Sequence, residues 1–166
     1  MSVEAVMLTH EVRPASWIAS APIRTAASVE IAAPPESVWA ALADHESWPQ
    51  WFRLLDSVAV TGAPTGVGGT RRVVIQRVPF DEVFTAWDEP RHLAWAVTGS
   101  GLPLLSAMAE SMRLVPTPAG CRLDLTQGLQ ARRGFGHVLG PMWRRNLPGI
   151  QQALSTLKAQ VEAGQG

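Results

Sequence analysis

The chain predicts an α+β domain in which a seven-stranded antiparallel sheet is followed by one long C-terminal helix. Two observations carry this. From residue 25 onward, short runs with period-two alternation recur between Gly- and Pro-rich turn signals, with no sustained helical period among the later runs. Residues 133–164 then place Phe135, Leu139, Met142, Trp143, Leu147, Ile150, Leu154, Leu157 and Val161 mostly three or four apart. Such a stripe is too apolar to stand alone in water and needs a complementary face to close against.

Taken in order, residues 1–23 form an N-terminal extension, weakly strand-like over 3–12 and punctuated by Pro14 and Pro22. It reads as an added edge strand or a mobile arm, with Trp17 and Ile18 able to pin it to the domain spanning 24–163. Residues 25–31 alternate Ala27, Val29 and Ile31 with Ser28 and Glu30, the pattern of a half-buried strand. Pro34-Pro35-Glu36 opens a helix to about Asp44, because a first-turn proline loses no intrahelical bond and Glu36 meets the positive end of the dipole. A second short helix begins near Ser47-Trp48-Pro49 and ends near Phe52.

Strands follow over 55–61, 70–78, 80–88 (after a break at Pro79), 92–98, 106–115 and 121–127. The Gly62–Gly69 run lacks the Gly-Lys-Ser/Thr ending of a phosphate loop and leads into a strand, so it reads as a hairpin connection. Short connections between sequential strands imply antiparallel pairing with the helices on one face. Pro148 and Gly149 interrupt the terminal helix and predict a kink or break within 144–149.

Composition narrows the functions. The 166 residues suit one domain with a proper core, and 14 basic residues balance 14 acidic ones with no basic run longer than a pair, which argues against nucleic-acid binding. No run of about eighteen uncharged apolar residues is found, so the expectation is a soluble, cytoplasmic protein without a transmembrane segment. The single cysteine, Cys121, rules out an intrachain disulfide and reads as a small apolar strand residue. His10, His45, His92 and His137 are scattered without metal-ligand spacing, and neither a metal nor a nucleotide cofactor is expected.

Several local motifs fall in a telling order: Pro35-x-x-Val38-Trp39-x-x-Leu42-x-Asp44, Trp48-Pro49-x-Trp51, Gly66-x-Gly68-x-Thr70, Trp87-x-x-Pro90-x-x-Leu93 and Gly120-Cys121-Arg122-Leu123. Together with the element order, they resemble the helix-grip fold of the START-like (SRPBCC) superfamily, in its polyketide cyclase/dehydrase and lipid-transport branch. The resemblance implies a curved seven-stranded sheet wrapped around the C-terminal helix, two short helices after the first strand, and a hydrophobic cavity between sheet and helix. It also implies a hydrophobic small-molecule ligand such as a lipid, polyketide or quinone. It carries no catalytic motif that can be transferred residue by residue.

Within that frame, Glu110 shares a strand face with Met108, Met112 and Leu114 and points inward if that face lines the cavity. Burial would raise its pKa and suit it to acid-base work or to anchoring a ligand's polar end; the alternative is a solvated glutamate or one paired with Arg71 or Arg113. Glu82 is a second candidate, since Phe80, Glu82 and Phe84 compete with Val83, Thr85 and Trp87 for the inner face. The expected lining is Trp95, Val97, Met108, Glu110, Met112, Leu123, Leu139, Met142, Trp143 and Leu147, of which the three methionines and two tryptophans would serve equally as solid core. Three functions follow: binding of a hydrophobic small molecule, a cyclase, aromatase or dehydratase using an inward carboxylate, or a protein-interaction domain with a filled cavity.

Overall fold

The computed structural model describes residues 6–166, so the start of the weak strand pattern at Val3 lies outside the described residues. The strands are β1 (Leu8–Thr9), β2 (Ile23–Ile31), β3 (Leu55–Val60), β4 (Thr70–Ile75), β5 (Val78–Asp88), β6 (His92–Ser100), β7 (Leu105–Thr117) and β8 (Gly120–Ala131). The α-helices are α1 (Pro35–Ala43), α2 (Gly136–Arg144) and α3 (Leu147–Ala163), with 3-10 turns at Ala15–Ser20 and His45–Gln50. Seven strands form one antiparallel sheet in the order β2-β8-β7-β6-β5-β4-β3, curved around the C-terminal helices, while the two-residue β1 pairs with the far end of β6. Beside β1, His10 Nε2 and Ser100 Oγ are hydrogen-bonded at 2.6 Å, and Ile18 in the first 3-10 turn is buried.

The turn between β4 and β5 differs from the sequence reading, and the interruption expected within 144–149 is a full break. The β4–β5 hairpin turns at Gln76 and Arg77, both at positive φ (48° and 71°), with Ile75 opposite Val78; Pro79 lies inside β5 opposite Val74. Two adjacent positive-φ residues match the tight hairpin turn whose twist suits the flanking strands, and nothing in the side chains announces it. The C-terminal stripe is two helices, separated by Arg145 and Asn146. Pro148 sits in the first turn of α3, where its missing N–H is harmless, so it starts a helix instead of kinking one. Gly149 has a packing role: a Cβ there would lie 3.1 Å from Leu54 Cδ1.

The core divides into two clusters on the concave face. The larger gathers Trp39, Trp48, Trp51, Phe84, Trp95, Met112 and Leu123 with Ile150, Leu154, Leu157 and Val161 of α3. The smaller gathers Ile23, Phe80, Val97, Met108 and Leu129 with Leu139 and Trp143 of α2. Polar side chains of α3 also cover the free edge of β2: Gln151 Nε2 donates to the Ser28 carbonyl at 3.1 Å, and Lys158 Nζ to the Glu30 carbonyl at 2.9 Å. Edge carbonyls capped in this way are unavailable to another strand.

Candidate functional site

One row of polar side chains crosses the otherwise apolar concave face. Thr25 on β2 stands opposite Gln127 on β8, Gln127 opposite Glu110 on β7, and Glu110 opposite Trp95 on β6. Trp95 pairs in turn with Phe84 on β5, and two residues along β5 Glu82 pairs with Arg71 on β4. Directly paired residues of an antiparallel sheet share a face, so one polar choice per strand builds a continuous line.

Hydrogen bonds follow the row. Trp143 reaches down from α2 and donates Nε1–H to Gln127 Oε1 at 3.1 Å, and Thr25 Oγ1 donates to the same oxygen at 2.6 Å. Gln127 Nε2 then donates to Glu110 Oε2 at 3.0 Å. At the other end, Arg71 Nε donates to Glu82 Oε2 at 2.6 Å, an ion pair with both side chains almost fully buried. The Arg71 guanidinium rests on aromatic faces, 4.2 Å from the Trp48 ring centroid and 4.8 Å from that of Trp95, where cation–π attraction offsets part of its lost hydration.

Arg71 Nη1 lies 3.2 Å from His45 Nδ1. Arginine can only donate, so Nδ1 accepts and the imidazole is neutral with its hydrogen on Nε2. Burial, then the Arg71 charge, lowers the His45 pKa to about 4, with the Pro64 backbone opposing. The two carboxyls move the other way. Burial raises Glu82 against the attraction of Arg71. Burial first, and then the Glu82 charge, raises Glu110 to about 7, against its bond from Gln127 and the charge of Arg71. The Trp95 indole N–H is close enough to both carboxyls to favour their charged forms, yet it makes no well-formed hydrogen bond.

These groups border a cavity where the two core clusters meet. Its polar residues are Arg71, Glu82, Glu110, Gln127 and Asn146, and its apolar walls include Trp48, Phe52, Leu55, Val73, Trp95, Trp143 and Ile150. The empty space is about 440 Å³ counting the open mouth, with an interior wide enough for about two waters. An outer apolar groove formed by Val78, Phe80, Leu102 and Met142 adjoins it, and the two share Ile75, Trp143 and Asn146 as a common wall.

Of the residues expected to line a site, Trp95, Glu110 and Trp143 border the cavity. Val97, Met108 and Leu139 are packed into the smaller core cluster, and Met112 and Leu123 into the larger, and these five border neither the cavity nor the outer groove. Met142 lines the outer groove, Leu147 is half-buried and borders neither space, and Phe135, the first residue of the apolar stripe, is exposed. An apolar strand face spans both clusters, whereas the cavity opens only between them; periodicity records the first fact and not the second. Glu82 faces inward together with Phe80 and Phe84. His137 is exposed.

Thr25, His45, Arg71 and Gln127 went unrecognised as site residues. Three left a signal: Arg71 shares its strand phase with buried Val73, Gln127 continues the phase of Cys121, Leu123 and Leu125, and Thr25 shares the phase of Ile23 and Ile31. A polar residue in the inward register of a strand is the mark to look for. Among the described residues, no group of three His, Cys, Asp or Glu side chains could hold a metal ion, and no helix is long and apolar enough to cross a membrane.

The polyketide cyclase/dehydrase and lipid transport family model matches residues 22–162. An uncharacterized protein of Mycobacterium bovis is 31% identical over 113 residues, covering 67% of this chain and 68% of its own. Among solved structures, the Zhui aromatase/cyclase of a Streptomyces species superposes with TM-score 0.69 at 19% identity, covering 84% of this chain and 93% of that one. A START superfamily protein of Mycobacterium smegmatis gives 0.66 at 17%, covering 84% and 97%. At these identities the two structures bear on fold alone, and they share the helix-grip arrangement of sheet and C-terminal helix. The match to the family model covers nearly the whole domain, and the chain belongs to the polyketide cyclase/dehydrase and lipid transport family.

Proposed function

We propose that the protein binds a hydrophobic small molecule, with the molecule's polar end on the Glu110–Gln127–Trp95 row and its apolar body running past Trp143 toward the outer groove. The observation that carries this reading is a narrow aromatic cavity with a few convergent polar groups, separated from an apolar groove only by Ile75, Trp143 and Asn146. The interior is tight, so a lipid- or polyketide-sized occupant displaces that wall. The two-residue break between α2 and α3 supplies a place for the displacement, because Trp143 lies in the last turn before it and Asn146 within it.

A cyclase or dehydratase is the second reading, favoured by one observation: Glu110 titrates near neutrality at a cavity wall. A carboxyl there can hold or move a proton at working pH, as general acid-base catalysis requires.

Native mass spectrometry of the freshly purified chain, followed by extraction of whatever it retains, tests the binding reading. A bound apolar molecule of discrete mass is expected. If none is retained and fatty acids, sterols, quinones and aromatic polyketides all fail to bind, the binding reading is lost and the protein-interaction alternative gains.

A further inference from the structure

We propose that the cavity selects an uncharged ligand whose carbonyl oxygen accepts from two donors that meet beside it, the Glu110 Oε1–H and the Trp95 Nε1–H. This inference rests on the ligand-binding reading above and names the ligand chemistry of that site.

The direction of the first donor follows from the hydrogen-bond chain. Indole N–H groups only donate, so the Trp143 contact fixes the oxygen of the Gln127 amide toward Trp143 and Thr25. The Gln127 amide nitrogen therefore faces Glu110 and donates to Oε2. A donor on Oε2 leaves no room there for the carboxyl hydrogen, so the protonated form carries it on Oε1, with the Trp95 N–H close to the same carboxyl but not in a well-formed bond to it. Burial puts that protonation within reach at neutral pH. The second donor is independent of titration: Trp95 is 2% exposed, borders the cavity, and leaves its N–H without a well-formed partner.

Two unpaired donors select by what they are offered. A carbonyl oxygen has two lone pairs and no hydrogen of its own to place. An apolar ligand leaves both donors unmade in a dry site, a cost buried polar groups always carry. A carboxylate adds a third acidic group beside Glu82 and Glu110 against the single Arg71 guanidinium, and its desolvation goes uncompensated. The titratable or charged groups facing Glu110 are Glu82 from β5 and Arg71 from β4, with neutral His45 behind Arg71. β8, β2 and α2 bring the uncharged Gln127, Thr25 and Trp143. Deprotonation of Glu110 turns one donor into an acceptor, so the carbonyl preference weakens as pH rises through neutrality.

The test is calorimetric titration of the full chain with three probes of one shape, acetylnaphthalene, ethylnaphthalene and naphthoate, at about pH 6 and about pH 9. The ketone should bind roughly tenfold tighter than the hydrocarbon at the lower pH, as a hydrogen bond or two of about 1 kcal/mol each supply. It should lose most of that advantage at the higher pH, with naphthoate weakest throughout. Trp95→Phe keeps the ring and should cut the ketone advantage severalfold. Glu110→Gln keeps the hydrogen-bond direction with an amide that does not titrate, so the advantage should persist and become independent of pH. Equal affinities for ketone and hydrocarbon overturn the carbonyl inference and leave cavity binding standing. A pH dependence that survives in Glu110→Gln overturns the assignment to Glu110. Failure of all three probes to bind overturns the carbonyl inference, while the binding reading is decided by the retained-ligand experiment above.

Discussion

Gln127 on β8 stands directly opposite Glu110 on β7, and its amide joins that carboxyl to Trp143 of α2, with bonds of 3.0 Å on one side and 3.1 Å on the other. One side chain thus ties the middle of the sheet to the helix that covers it. Its amide donates to one partner and accepts from two, a combination no apolar residue reproduces.

Replacing it by an apolar residue of similar size should therefore be expensive. Gln127→Leu leaves the Trp143 N–H, the Thr25 hydroxyl and Glu110 Oε2 without their bonds in a buried site. Unmade buried bonds cost about 1–3 kcal/mol each, and water or rotation recovers some of them, so a loss of roughly 2–4 kcal/mol is expected. Urea denaturation with an unchanged slope would measure it. A loss below about 0.5 kcal/mol would show that the amide bonds contribute no net stability.

Arg71 is the second test. Arg71→Met preserves much of the aromatic packing but leaves the Glu82 carboxylate buried without its cation. Breaking a buried pair from one side costs about 3–5 kcal/mol. Removing both charges, as in Arg71→Met with Glu82→Leu, should recover most of that loss. The prediction fails if the double variant is as unstable as the single one, since packing around Trp48 and Trp95 would then be the main contribution.

The stability of the protein against pH carries opposed signatures. The Glu110 pKa rises from 4.5 to about 7, so the folded state binds the extra proton between those values and stability falls as pH rises through them. The His45 pKa drops from 6.5 to about 4, so the unfolded state binds the extra proton and stability rises over that window. The windows overlap and the two effects largely cancel in the wild type. The stability of wild type relative to Glu110→Gln should accordingly decline from about pH 4.5 to about pH 7, by at most about 3 kcal/mol. A flat difference curve from denaturation at stepped pH would mean that Glu110 is not perturbed in the folded state.

How far the sequence revealed this site depends on which physical signal each part leaves. The succession of strands and the position of the covering helix follow from where apolar residues alternate and where they recur every three or four, because burial of those faces drives folding, whereas the pairing of β2 with β8 leaves no such pattern. Glu110 was legible for the same reason, as a carboxylate in an apolar register. Arg71 and Gln127 obeyed the identical rule but were passed over, Arg71 because the inner face of its strand was never assigned and Gln127 because its strand was read as ending there. Thr25 shared the phase of Ala27, Val29 and Ile31 but stood at the start of the strand as read, and His45 had no such mark, since its role comes from a contact across 26 residues of chain. Cavity lining was least legible: Met108, Met112 and Leu123 have the chemistry of a binding wall and the packing of a core. Only the gap between the α2 and α3 clusters tells the two apart.

Trp143 stands between the cavity in that gap and the outer groove, bordering both, and is latched to Gln127 by one hydrogen bond. Trp143→Phe keeps an aromatic wall and removes the latch, while Gln127 Oε1 retains its bond from Thr25. The stability cost should be small, about 1 kcal/mol. Acetylnaphthalene is smaller than the lipid or polyketide that displaces the wall, so the ring returns to its place and the latch contributes equally to the free and bound states. Opening α2 about the Arg145–Asn146 break still has to break it first. Both association and dissociation of acetylnaphthalene should then speed up, by roughly fivefold for a bond of about 1 kcal/mol, with little change in affinity. Stopped-flow displacement separates this from a wall that merely packs: if the variant slows neither step nor speeds either, the ligand enters elsewhere, and if only dissociation quickens, Trp143 holds the ligand instead of gating it.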